Sequence, residues 1–177
     1  MDILTVNCLV KSYINIVYKR YYCAPADKTL TIQQHIGRGV TISGYEKSIK
    51  DIINGFLISA ALPWHLVDEV YILFNCGKDF YWVLAVIVLK KRLIRVYDSS
   101  MGSRKRVHPE EITQLSVMLP NYLHDSGFFD KTKRINWLLL EAYKDKKTGE
   151  LLGPRHSFAV EYAQDIMKQQ SDSLLVL

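Results

Sequence analysis

One stretch in the middle of the chain constrains the fold more than any other. Residues 82–89 form an uninterrupted apolar run, the basic residues Lys90, Lys91 and Arg92 follow it, and residues 93–98 are again rich in β-branched and aromatic side chains. The first run is far shorter than the roughly 18 to 20 apolar residues that cross a bilayer, and its length fits a buried strand. The short basic connection predicts that the two strands pair as an antiparallel hairpin.

Two other segments have strand patterns. Residues 70–74 are rich in β-branched and aromatic residues, and residues 158–162 alternate as a half-buried strand does. Strands and helices that follow one another in this way predict an α+β fold with a mixed or antiparallel sheet flanked by helices.

Two helices are predicted from capping and periodicity. A capping box and isoleucines at helical spacing predict a helix over residues 45–59, which Pro63 is expected to end. A second helix is predicted over residues 109–123, where Pro120 is expected to kink the helix or end it early.

The composition is that of an ordinary globular protein, and its 177 residues fit one domain. The net charge of +5 is mild, and no basic groove with stacking aromatics is evident, so no specific nucleic-acid partner is predicted. Three cysteines without CxxC spacing argue against a disulfide framework and against a metal site. No secretory signal or membrane span is predicted, and a nuclear or cytoplasmic location is expected.

The first part of the chain is the hardest to assign. Residues 1–44 are predicted as an N-terminal segment with a strand or short helix followed by a loop, and residues 45–177 as the main domain.

Three blocks together resemble a known family: LPWHLVDEVYILFN, FYWVLAVIVLKKRLIRVYDSS and FAVEYAQDIMKQQSDSL. They are similar to the ubiquitin-like (SUMO) protease family of papain-related cysteine peptidases, and most similar to its plant branch, over residues 45–174. The resemblance implies a papain-like α+β fold without a cofactor. It also implies that the helix bearing the nucleophile in that family has no counterpart before Leu177.

The resemblance assigns a role to five positions. Asp98, in the YDS motif, stands at the carboxylate that orients the catalytic base, and Trp82 stands at the tryptophan that lines the channel for the substrate's diglycine tail. Gln170 stands at the glutamine that stabilises the oxyanion. Tyr81 occupies the position of the base histidine, and Val176 occupies the position of the nucleophilic cysteine.

Two members of the implied catalytic triad are therefore absent. A thiolate is the reactive form of cysteine and needs a neighbouring imidazole, whereas a phenol with a pKa near ~10 stays protonated at neutral pH. Neither Cys76 nor His65 has a sequence position that would replace the missing groups, and His65 with Asp68 lacks the partners of a metal site.

Several of these residues also have plainer interpretations. Asp98 at a strand end is also typical of a turn or cap residue. Trp64 and Trp82 are predicted to contact substrate if the diglycine channel is retained, and otherwise to pack in the core. Gln169 and Gln170 are alternatively a polar surface pair.

The function predicted first is a catalytically inactive, truncated family member whose partner is a ubiquitin-like or SUMO modifier or its conjugates. The alternatives are a non-catalytic module that binds such a modifier, and an active peptidase whose C-terminus extends further. Without the nucleophile helix, sheet residues are expected to lose their cover and the isolated chain to be marginally stable. The residues expected to be uncovered are Val83, Ala85, Ile87 and Val160.

Overall fold

Five strands form one mixed sheet. The computed structural model describes residues 2–6, 9–22, 44–56, 62–75, 82–98, 110–132 and 135–163. The strands lie in chain order across the sheet; the two inner pairings, β2 with β3 and β3 with β4, are antiparallel, and the two outer pairings are parallel. The strands are β1 (Ile3–Val6), β2 (Glu69–Asn75), β3 (Trp82–Val88), β4 (Leu93–Asp98) and β5 (Ala159–Tyr162).

The predicted hairpin is confirmed. β3 and β4 pair antiparallel, with Val88 opposite Leu93 and Val83 opposite Asp98. A 3₁₀ turn over Leu89–Lys91 connects them, and Arg92 closes the turn in the left-handed region with a φ of 49°. A left-handed conformation at this residue reverses the chain in a short connection and is uncommon for a residue other than glycine.

Helices accompany the sheet, and the α+β class is as predicted. The first of the two predicted helices is shorter than expected, because it ends in a Schellman motif at Gly55, which has a φ of 80°. The Gly55 N–H donates to the Ile52 carbonyl at 3.0 Å and the Phe56 N–H donates to the Asp51 carbonyl at 2.8 Å. The prediction that this helix continues to residue 59 and is ended by Pro63 is wrong. The helices are α1 (Leu9–Tyr22), α2 (Gly44–Ile53), α3 (Glu110–Asp125) and α4 (Phe128–Lys131).

α3 continues past Pro120 to Asp125, so the alternative that Pro120 ends this helix early is wrong. A proline has no N–H to donate to the carbonyl four residues earlier, which here belongs to Ser116. That carbonyl instead accepts a hydrogen bond of 2.9 Å from the backbone N–H of Phe158, one residue before β5. The acceptor that proline leaves free therefore links α3 to the strand at the edge of the sheet.

The hydrophobic core lies on one face of the sheet. Val83, Ala85 and Ile87 are fully buried there together with residues of α1, α2 and α3. The expectation that these three residues are uncovered is wrong, because helices cover this face. Val160 is exposed, as expected, and the rest of β5 is more exposed than the half-buried strand that the alternation predicts.

The described part of the first 44 residues belongs to the same sheet and core. β1 pairs parallel with β2, and α1 contacts both α2 and α3. Val10, Ile14 and Val17 of α1 are buried at helical spacing and join the core. Residues 2–6 and 9–22 therefore add a strand and a helix to the domain predicted from residue 45.

Candidate functional site at the start of β3 and the end of β4

The predicted site lies at one end of the sheet, where β3 begins and β4 ends. Val83 pairs with Asp98 across the two strands, and Trp82 pairs with Asn75, the last residue of β2. Paired residues of neighbouring strands lie about 5 Å apart. The hairpin therefore brings the start of one motif, FYWV, beside the end of the other, VYDS.

Asp98 lies on the core side of this end. Alternate residues of β4 are buried, so Asp98 shares a face with Ile94 and Val96 and is itself buried. The Ala163 N–H donates to the Val96 carbonyl at 2.9 Å, which holds the chain just after β5 beside the same end of β4. Asp98 therefore lies on the core side opposite Val83, and its role as an orienting carboxylate stays a prediction.

Trp82 lies on the opposite face of the sheet and is 48% exposed. Leu73 of β2 is exposed on this face, and its cross-strand partner Leu84 is partly exposed. Leu73 and Trp82 are diagonal neighbours in the register, close enough for an aromatic ring to contact a leucine. We call Leu73, Trp82 and Leu84 the Trp82 patch; it is a small apolar surface open to a partner.

Trp64 is placed elsewhere. It is 1% exposed and belongs to the hydrophobic core, in a turn that leads into β2. The Leu89 N–H donates to the Asp68 carbonyl at 3.3 Å, so this turn adjoins the β3–β4 connection, one strand length of about 20 Å from Asp98. The structure does not bring Trp64 and Trp82 together, and the Trp64 ring has almost no surface available to a ligand.

The remaining predicted site residues lie outside the described part of the chain. These are Tyr81, Gln170 and Val176, together with the three cysteines, Cys8, Cys23 and Cys76. Their assignments stay predictions from the sequence.

Comparison with protein families decides the relationship. The sequence model described as "Ulp1 protease family, C-terminal catalytic domain" matches residues 43–173, well over half of the chain. The chain belongs to the Ulp1 protease family. This family consists of cysteine proteases specific for SUMO-type, ubiquitin-like modifiers and their conjugates, so the resemblance stated above is confirmed at the level of the family. No curated protein matches the chain.

The family match covers part of the site and all the strands and helices described here except β1 and α1. The five-stranded sheet with helices on its core face is consistent with the papain-like architecture of the Ulp1 family. The matched residues include Asp98 and Gln170 and end before Val176. Placement of the chain in the plant branch stays a prediction.

The other end of the sheet carries an ionic cluster. Lys90 forms an ion pair of 2.5 Å with Asp68. The hydrogen bond that Lys90 donates, and a second one from the backbone N–H of Asp2, lower the pKa of Asp68. Burial lowers the pKa of His65, and the charge of Lys131 lowers it further. Within the described residues, no group of three or more His, Cys, Asp or Glu side chains could hold a metal ion, and no helix is long and apolar enough to cross a membrane.

Arg92 is the residue whose environment the sequence analysis missed. Its neighbours in the basic turn, Lys90 and Lys91, are exposed. Arg92 is 4% exposed, beneath the loop that precedes β5. The first residue of β4 follows Arg92 directly, and this proximity to a buried strand was the available signal.

Proposed function

We propose that this Ulp1-family domain is catalytically inactive. The observation that carries the proposal is the residue before Trp82, which is Tyr81 where the family resemblance places the base. A phenol that titrates near ~10 keeps its proton at neutral pH, so it neither activates a thiol nor stabilises a thiolate by becoming a cation. Asp98 would then have no imidazole at this position to orient.

The position of the nucleophile supports the same conclusion. The family resemblance places Val176 at this position, and its side chain has no group that can form an attacking anion. Loss of either the nucleophile or the base of a triad leaves only the small residual rate that binding and oxyanion donors supply.

The test is a hydrolysis assay on the purified chain. The substrate is a SUMO-type modifier with a fluorogenic group attached after its terminal diglycine, and an active Ulp1-family protease serves as the positive control. We expect fluorescence to be released at the rate of the buffer blank. Release that iodoacetamide abolishes would contradict the proposal, and the Cys8→Ser, Cys23→Ser and Cys76→Ser variants would then identify the thiol.

A second candidate function is binding of a ubiquitin-like modifier without cleavage. The exposed ring of Trp82 favours it, because this residue stands at the family position that contacts the diglycine tail. An apolar patch next to a site that has lost its catalytic groups retains the means to bind a modifier tail.

Binding is tested by NMR titration of an isotope-labelled SUMO-type modifier with the unlabelled chain. We expect saturable shifts in the modifier's C-terminal residues, and a loss of affinity of about tenfold for Trp82→Ala. Tyr45→Ala, which removes a comparably exposed ring from α2, is the matched control and should bind as the parent chain does. Absence of any shift at millimolar concentration of the chain would exclude this function.

A further inference from the structure

A cavity lies at the end of the sheet opposite Asp98. Its volume is about 340 Å³, which falls in the range of small-molecule sites. Most of its wall is apolar, with the Arg92 side chain as its buried cation. We call it the Arg92 pocket; its walls are formed chiefly by Pro120, Phe129, Leu151, Leu152 and Pro154.

The guanidinium of Arg92 is held firmly at this pocket. Its Nη2 atom donates to the carbonyl of Gly153 at 3.3 Å and to the carbonyl of His156. The rings of Tyr143 and Phe158 each lie 5.2 Å from its Cζ atom, within the range of cation–π contacts. The side chain is therefore fixed before any ligand arrives, which lowers the entropic cost of binding.

The charge of this guanidinium lacks an anionic partner among the described residues. None of the ion pairs in the described chain includes Arg92, and its Nε atom is buried with no hydrogen-bond acceptor. Burial lowers its pKa, as expected for a cation removed from water. A buried cation without an anion is costly, and a carboxylate in the pocket would supply the missing negative charge.

We propose that the Arg92 pocket binds a small carboxylate that carries an apolar group. The carboxylate would pair with the guanidinium, and the apolar group would contact the leucine and proline walls. His124 and Asp130 also line the pocket, and the negative charge of Asp130 repels a phosphate dianion more strongly than it repels a ligand with a single negative charge. The ligand is therefore a monoanion, either a free small acid or the C-terminal carboxylate of a peptide.

The test is calorimetric and NMR titration of the full chain with 3-phenylpropionate. We expect saturable binding, a shift of the Arg92 Nε–H resonance, and affinity at least about tenfold higher than for the uncharged 3-phenylpropanamide. A tripeptide that ends in phenylalanine, with a free or an amidated C-terminus, shows whether a peptide carboxylate enters as well as a free acid does. Equal binding of the acid and its amide, or no saturable binding of the acid, would overturn the proposal.

A variant that fills the pocket tests the location without disturbing Arg92. Leu151 is partly exposed at the pocket wall, so Leu151→Trp should occlude the cavity and abolish binding of the acid. Leu139→Trp introduces the same ring at an exposed leucine that does not line the pocket, and should leave binding unchanged. Thermal melting confirms that each variant is folded. Unchanged affinity in a folded Leu151→Trp variant would refute the assignment.

Discussion

Tyr143 shows how a single side chain can secure a turn. Its hydroxyl donates to the Leu89 carbonyl at 2.5 Å, in the turn between β3 and β4. The ring packs against Trp137 with a centroid separation of 4.8 Å and faces the guanidinium of Arg92. Burial raises the pKa of Tyr143, so the phenol remains a donor throughout the pH range in which proteins are studied.

Tyr143→Phe removes this hydroxyl and little else. The Leu89 carbonyl would lose the hydroxyl but keep the Arg92 N–H as a donor at 3.2 Å, so we expect the free energy of unfolding to fall by about 1 kcal/mol. Urea denaturation measures the change, with Tyr45→Phe at a half-exposed ring as the control, expected to shift stability by less than about 0.5 kcal/mol. Equal losses of stability in both variants would show that the hydrogen bond to Leu89 stabilises the fold no more than the hydroxyl of a half-exposed tyrosine does.

At the scale of single residues, the sequence predicted where a residue lies on a strand better than it predicted how deeply that residue is buried. Asp98 could be placed at a strand end because the alternation of β4 is regular and its motif is specific. The adjoining strand is a signal for the burial of Arg92, but the loop that covers the guanidinium lies more than fifty residues later in the chain and cannot be identified from that signal. Local patterns carry no information about which distant segment covers a charge.

At the scale of elements, one backbone carbonyl of α3 accepts its hydrogen bond from outside the helix. In a helix without proline, the Ser116 carbonyl would accept a hydrogen bond from the N–H of residue 120. Here it accepts one from the N–H of Phe158. The helix continues past Pro120, which is buried together with its neighbours Leu119 and Asn121. The position of β5 therefore depends in part on a residue of the helix that precedes it by some forty residues.

Pro120→Ala tests this dependence. The substitution introduces a backbone N–H at position 120 that would compete with Phe158 for the Ser116 carbonyl, so we expect faster amide hydrogen exchange at Phe158. Val117→Ala, on the same helix, leaves the competition unchanged and should not alter the exchange of Phe158. If Phe158 is equally protected in the parent chain and in Pro120→Ala, its hydrogen bond to Ser116 does not depend on the proline.

Element boundaries were predictable where they are set by near neighbours along the chain. β3 and β4 follow from their composition and the basic turn between them. The end of α2 is set by Asn54 and Gly55, a local C-capping signal, and not by the more distant Pro63 from which it was predicted. The continuation of α3 was missed for a different reason, since the donor that compensates for Pro120 lies outside the helix.

At the scale of the whole molecule, the N-terminal elements are part of one core. Ile14 of α1 is 2% exposed and lies in the same cluster as residues of β3 and α3. No secure pattern marks this region in the sequence, because the order in which distant elements pack is not encoded in local periodicity. Among the described residues of the candidate site, Asp98 and Trp82 lie on strands that the sequence pattern predicts.

Ile14→Ala should therefore lower the stability of the entire domain. We expect a loss of about 3 kcal/mol in the free energy of unfolding, because the substitution leaves a cavity in the common core. Ile16→Ala, two residues away at a position that is 44% exposed, should change stability by less than about 0.5 kcal/mol. Parallel unfolding curves from far-ultraviolet and tryptophan signals check that one transition is being measured. A negligible effect of Ile14→Ala would mean that α1 unfolds separately.

The parallel pairing at both outer edges of the sheet has a consequence for how the chain reaches its final form. The three inner strands form a meander within residues 69–98 and require only short loop closures. In contrast, helices intervene in the chain between β1 and β2 and between β4 and β5. Contacts between distant segments form more slowly than local ones. We expect assembly to begin at the centre and to proceed outward to both margins, and pulse-labelled amides that became protected first in β1 or β5 would disprove that sequence of events.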